Sequence, residues 1–252
     1  MTVDDHNLTV YNTPAVVAHY ARAADLQGCE AYAFGKYVSN GSAILDLGVG
    51  GGRTVAALSD KASLYIGVDY AQAMVDACKA RYPTLNFCCA SACDLSRFGD
   101  GMFDVVVFSF NGLGYIRTDA ERAAALAEIA RVLKPGGIFI FSLHNAKALG
   151  IWPILEGADM VHRVWRVARA VARSVGLFAV RIATATYKTG AGYELDPVHG
   201  GLAIFMCTPN TITPELAAAG FATKEVVNGL FPRNIHTAFT PWYYYVLGKS
   251  GA

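Results

Sequence analysis

"ILDLGVGGGRTV", residues Ile44–Val55, joins an apolar run, an aspartate, a burst of glycines and then helix-forming residues. A buried strand running into Gly48, Gly50 and Gly52 and then a helix puts backbone N–H groups and a positive helix end beside a ligand that can approach closely. Two details narrow the ligand. The dinucleotide fingerprint G-x-G-x-x-G needs a glycine where this chain has Arg53, and the P-loop needs Gly-Lys-Ser/Thr where it reads Gly52-Arg53-Thr54. A phosphate cradle is therefore not the best match. About 20 residues on, at the end of the next apolar run, stands Asp69 in "GVDY"; a carboxylate there can accept both hydroxyls of a ribose.

Outward from this stretch the pattern repeats. Apolar runs alternate with helical segments, the rhythm of a parallel sheet wrapped by helices. "LYIGVDY", "LNFCCAS", "FDVVVFSF" and "IFIFSLH" read as the second to fifth strands. "AQAMVDACKARYP" reads as a helix ended by Pro83 and "TDAERAAALAEIARVL" as one capped by Thr118 or Asp119. In "KPGG", Pro135 fixes φ and Gly136 can take a positive φ. After Asn145 the rhythm breaks. "DMVHRVWRVARAVARSV" is an amphipathic helix, followed by two predicted strands around a loop rich in glycine; "TPELAAAGF" is a short capped helix before two final strands. The predicted organisation is one α/β domain: a helical cover over 1–43, a core of 44–145 and 209–252, and an α+β cap insert over 146–208.

With 252 residues and 54% apolar composition the chain can bury a sizeable core. Lys plus Arg number 21 and Asp plus Glu 20, so no global positive field draws it to nucleic acid. Cys29, Cys78, Cys88, Cys89, Cys93 and Cys207 include no CxxC pair and suit free thiols in a reducing compartment. The first ten residues carry two acids and no apolar core, unlike a secretory signal, and no apolar run is long enough to span a bilayer. The expectation is a cytoplasmic protein, monomer or homodimer, with a small-molecule partner and neither nucleic acid nor membrane. The histidines lack metal-cluster spacing, so no metal is expected.

At this point the residues resemble the class I S-adenosylmethionine-dependent methyltransferases of the small-molecule type. "ILDLGVGGGRT" is similar to that family's first motif and "GVDYAQAM" to its ribose motif; "ASACDL", "FDVVVFSFNGLGYI" and "RVLKPGGIFIFS" resemble the three that follow. The match covers about Ile44–Leu143 and Thr211–Lys249. It implies a Rossmann-like three-layer sandwich with a mostly parallel, seven-stranded sheet and an antiparallel last strand. It also implies S-adenosylmethionine as methyl donor and S-adenosylhomocysteine as product. Carried over by residue, Asp46, Gly48, Val49 and Gly50 would surround the methionine part and Asp69 would hold the ribose. Tyr70 and Met74 would lie against the adenine, with Ala92, Cys93 and Asp94 at its edge, and Ser109 and Asn111 would face the sulfonium.

The acceptor is less determined. Methyltransferases acting on nucleobase amines carry Asn/Asp-Pro-Pro-aromatic after the fourth strand, whereas this chain has Asn111-Gly112-Leu113-Gly114-Tyr115. With the near-neutral net charge, that counts against DNA or RNA as substrate. The resemblance and the cap together imply transfer to an O or N atom of a small metabolite by in-line displacement, with the cap enclosing the acceptor and C-methylation left open. His144, ending the fifth strand, is the first candidate for a general base, or else a polar residue closing a strand; Asn145 shares its position. His199 could reach over the site from the insert or be a surface histidine. Tyr11, Tyr20 and Tyr115 could offer aromatic faces to the sulfonium or simply pack. Arg163, Arg166, Arg169 and Arg173 form a stripe on the insert helix; a solvated face ranks first, an anchor for an anionic group second and association with anionic lipid third. The competing functions are an NAD(P)-dependent oxidoreductase using the same loop and a non-catalytic S-adenosylmethionine-binding protein.

Overall fold

The computed structural model describes residues 6–22, 25–149, 159–196, 202–233 and 236–250. Five parallel strands form its centre: β1 (Ser42–Leu47), β2 (Ala62–Asp69), β3 (Asn86–Cys89), β4 (Phe103–Phe108) and β5 (Leu133–Asn145), in the order β3-β2-β1-β4-β5. β9 (Trp242–Lys249) runs antiparallel beside β5 and carries β8 (Phe221–Asn228) on its outer side. These are the seven strands that the resemblance implies, and two strands of the insert extend the sheet to nine.

Side-chain alternation along the strands builds the three layers. From β1, Leu45 and Leu47 point into one core with Val106, Phe139, Phe141 and Leu126, Ile129 of α6 (Asp119–Val132). Ile44 points into the other core with Val105, Val107 and Ile140. There it meets α3 (Gly28–Tyr37), α4 (Val55–Ser59) and α5 (Gln72–Arg81) through Phe34, Leu58 and Val75. α3 is thus one of the layer helices. Only α1 (His6–Tyr11) and α2 (Pro14–Arg22) remain as cover, with Asn12 Oδ1 accepting from Ala73 N at 3.0 Å to tie them to α5.

The insert follows β5 as predicted, but its strands join the main sheet. β5 outruns β4, whose pairing stops at Phe108–Phe141. Beyond that point β7 (Leu202–Cys207) pairs in parallel with His144 and Asn145, and β6 (Ala191–Asp196) pairs with β7. α7 (Met160–Arg181) and α8 (Ala185–Thr189) precede this hairpin. α9 (Pro209–Ala218) starts four residues before the predicted "TPELAAAGF". The sequence holds two Thr-Pro pairs, and the first one caps: Thr208 accepts from Thr211 N, and Pro209 occupies a first-turn position where no N–H is needed. Gly136 takes φ 74°.

Candidate functional site

β1 delivers the chain to the glycine loop at the carboxyl edge of the sheet, beside the point where strand order reverses. Gly48, Gly50 and Gly52 have φ of 61°, 53° and 85°, values that glycine adopts without a Cβ penalty. A Cβ on Gly51 would lie 2.3 Å from the carbonyl carbon of Tyr20, so the loop and the end of α2 touch backbone to backbone. Asp69 ends β2 on the far side of the loop. Its Oδ2 accepts from Gly50 N and its Oδ1 from Ala71 N, each at 2.9 Å. Burial raises its pKa, only partly offset by these amides. With about four lone-pair sites, the carboxylate keeps acceptor capacity beyond these amides.

Above the loop lies a cavity of about 470 Å³, within the usual range for small-molecule sites. Gly48, Val49, Gly50 and Asp69 line one part of it, and Tyr70, Met74, Ala92 and Cys93 line the next. Ser109 and Tyr115 close it from the loop after β4, and Tyr11 and Tyr20 close it from the cover. The tyrosines form one cluster: Tyr11 lies edge-on to Tyr20, Tyr70 and Tyr115 with ring centroids 5.9–6.0 Å apart. Burial first, and then the neighbouring phenols, raise the Tyr11 pKa, so it stays neutral.

Other predicted residues sit elsewhere. Asp46 lies beneath the loop, its Oδ2 accepting from Thr54 Oγ1 at 2.6 Å and Tyr65 Oη at 2.8 Å. Burial raises its pKa to about 6 against those two hydroxyls. Asp94 is exposed and accepts from Ser96 N in a turn. His144 lies between β7 and β9, opposite Met206 and Trp242, outside the cavity lining. Asn145 is fully buried and spends its amide on the carbonyls of Thr237 and Thr240. Asn111 takes φ 65°, directly after Phe110 at φ 53°, and its buried Oδ1 has no hydrogen-bond partner. His199 falls outside the described residues.

A buried network that the sequence reading did not find stands beside the loop. Glu30, on α3 and fully buried, accepts two bonds from the Arg53 guanidinium and one from Tyr244 Oη at 2.5 Å. Arg53 lines the cavity and lies over the Phe110 ring at 5.1 Å. Burial alone would raise Glu30, but the bonds and charge of Arg53, with the Tyr244 hydroxyl, more than offset it and hold its pKa below the usual range. Tyr244 is 214 residues from Glu30, so only the folded sheet brings them together. The signal in the sequence is an arginine beside the glycines and a glutamate among the apolar residues that open α3. His19, Asp25 and Gln27 also line the cavity from the cover side. Among the described residues no group of His, Cys, Asp and Glu is arranged to hold a metal ion, and no helix is long and apolar enough to cross a membrane.

Comparison with known proteins gives a consistent picture. The profile of a family described as a methyltransferase domain matches residues 45–141. A demethylmenaquinone methyltransferase of Clavibacter sepedonicus is 36% identical over 188 residues, covering 73% of this chain and 67% of that one. An uncharacterized methyltransferase of Synechocystis is 33% identical over 134 residues, covering 52% and 62% of the two chains. The chain spans about half to two thirds of the length of the first curated relatives it matches. Among solved structures, the CcbJ methyltransferase of Streptomyces caelestis shares the fold, with a TM-score of 0.65 at 18% identity over 99% of this chain and 100% of that one.

Proposed function

Because the chain belongs to the class I S-adenosylmethionine-dependent methyltransferases, we propose that it transfers a methyl group from S-adenosylmethionine to an oxygen or nitrogen atom of a small-molecule acceptor. The dinucleotide reading falls away with that membership. The observation that carries the proposal is the pairing of the glycine loop with Asp69. The carboxylate is fixed by Gly50 N and Ala71 N, faces the cavity and has lone pairs left for ribose hydroxyls.

The residues present suit this cofactor. The Gly48–Gly50 backbone allows close approach at one end, and Arg53, held in place by Glu30, offers a fixed guanidinium beside it. Met74, Tyr70 and Ala92 give apolar walls for a purine. S-adenosylmethionine, when bound, supplies a methyl group already activated on a positively charged sulfur. What the chain contributes is mainly placement, and well-oriented reactants gain on the order of 7–11 kcal/mol. The faces of Tyr11, Tyr20 and Tyr115 favour positive charge and keep water from the same region. A neutral Tyr11 holds its proton, so it orients and does not act as a base. His19, edge-on to Tyr20 at 5.7 Å, stands at the rim where an acceptor enters and can take a proton from a hydroxyl or ammonium group.

The test is a transfer assay with methyl-labelled S-adenosylmethionine against pooled phenols, amines and hydroxylated metabolites. Label should move to an organic acceptor, with S-adenosylhomocysteine released in equal amount. Cofactor binding without release from any pool would instead indicate a binding protein.

A further inference from the structure

α7 leaves its apolar face uncovered. At about 100° of rotation per residue, Met160, Val161, Val164, Trp165, Val171 and Val175 share one arc of this helix. Met160 is 82% exposed, Val164 64%, Trp165 66%, Val171 56% and Val175 64%. Ala170, the residue of its first half that is buried, lies on the opposite side. The apolar arc of the described half of α7 is therefore exposed, and its one buried residue lies on the polar side. Arg163 and Arg169 stand on the two shoulders of that arc with Arg166 behind it, all three exposed.

We propose that α7 is an interfacial helix that seats this protein on an anionic lipid surface. The pattern on the page selects that occupant. The outward arc carries Val, Met and Trp and no hydrogen-bonding group beyond the indole N–H, the composition that enters the boundary of headgroups and acyl chains, where tryptophan is favoured. With the arc facing the bilayer, arginines on its shoulders lie level with the phosphates, and their long stems let the guanidinium groups reach them. A second copy of the chain is a poorer match. Antiparallel or parallel, two such helices bring arginine shoulders together, and the described start of α7 offers Asp159 alone as a counter-charge, already bonded to His162. The exposure of the apolar arc moves the lipid reading ahead of the solvated face that the sequence ranks first. Contact of this kind buries one face of a helix and needs no span.

The experiment is co-sedimentation of the full chain with vesicles of phosphatidylcholine alone and of phosphatidylcholine containing phosphatidylglycerol, with the tryptophan emission recorded in parallel. The chain should bind the anionic vesicles with a blue shift that Trp165→Phe removes, and added salt should weaken binding. Val164→Asp with Val171→Asp should abolish it. Arg163→Gln and Arg169→Gln together should weaken it about twenty-five-fold, at roughly fivefold per arginine. These positions are exposed, so unchanged melting of each variant shows that lost binding is not lost folding. Absence of binding to either vesicle would overturn the proposal. So would concentration-dependent dimerisation that Val164→Asp abolishes, which would assign the arc to a second copy. Binding that ignores the arginine substitutions would overturn the anionic part.

Discussion

At the scale of single residues, the site depends on carboxylates whose surroundings pull them in opposite directions. Asp69 is buried against backbone amides and its pKa is raised; Glu30 is buried against Arg53 and its pKa is lowered. Glu30→Gln removes the charge from a pair in which Glu30 is fully buried and the Arg53 side chain is 15% exposed. The expected cost at neutral pH is about 3 kcal/mol, a fall in Tm of roughly 6–12 °C for a chain of this size. A group with a depressed folded pKa contributes stability above its unfolded pKa and loses it as pH falls through the folded one. The gap in Tm between wild type and Glu30→Gln should therefore close in acid, and melts at neutral and acidic pH will show whether it does. Asp69 was legible in the sequence because a carboxylate closing an apolar strand beside glycines has few structural reasons to be there. Glu30 was not legible, since its partners come from the glycine loop and from β9, and no local pattern joins them.

At the scale of elements, the strand, loop and helix of Ile44–Val55 act together with the cover. Gly51 is where α2 meets the loop, and an alanine there would push its Cβ into the backbone of Tyr20 and Ala21. Gly51→Ala should displace α2 and cost about 1–3 kcal/mol, the range for overpacking. Limited proteolysis should then cut within residues 14–22 faster than in wild type, while the central sheet stays protected. The sequence marks the glycines, but it does not say which must be glycine for φ and which for contact; Gly48 and Gly50 belong to the first kind and Gly51 to the second. Element boundaries failed where two signals competed, as with the two Thr-Pro pairs before α9. The predicted strands of the insert exist, but periodicity could not reveal that β7 would extend the main sheet by pairing with the overhang of β5.

At the scale of the whole molecule, strand order, layers and the position of the cavity follow from alternating apolar runs and the handedness of parallel crossovers. That is why the architecture was readable while the acceptor side was not. The glycine-loop end of the cavity is built from strand termini whose place the topology dictates. The opposite end is assembled from the cover and the loop after β4, whose approach depends on packing across the chain. Exposure of the apolar arc of α7 is likewise a tertiary property: the arc is visible in the sequence, but whether it stays uncovered is not.

Methyl transfer by this chain requires that the cavity above the glycine loop hold S-adenosylmethionine through Asp69. Calorimetric titration of S-adenosylmethionine and S-adenosylhomocysteine into the wild type and into Asp69→Ala tests this most directly. Saturable one-to-one binding is predicted, weakened at least tenfold in the variant by loss of charge-assisted hydrogen bonds of about 1.5–3 kcal/mol. Absence of binding by the wild type, or an unchanged Kd in a folded Asp69→Ala, would contradict it.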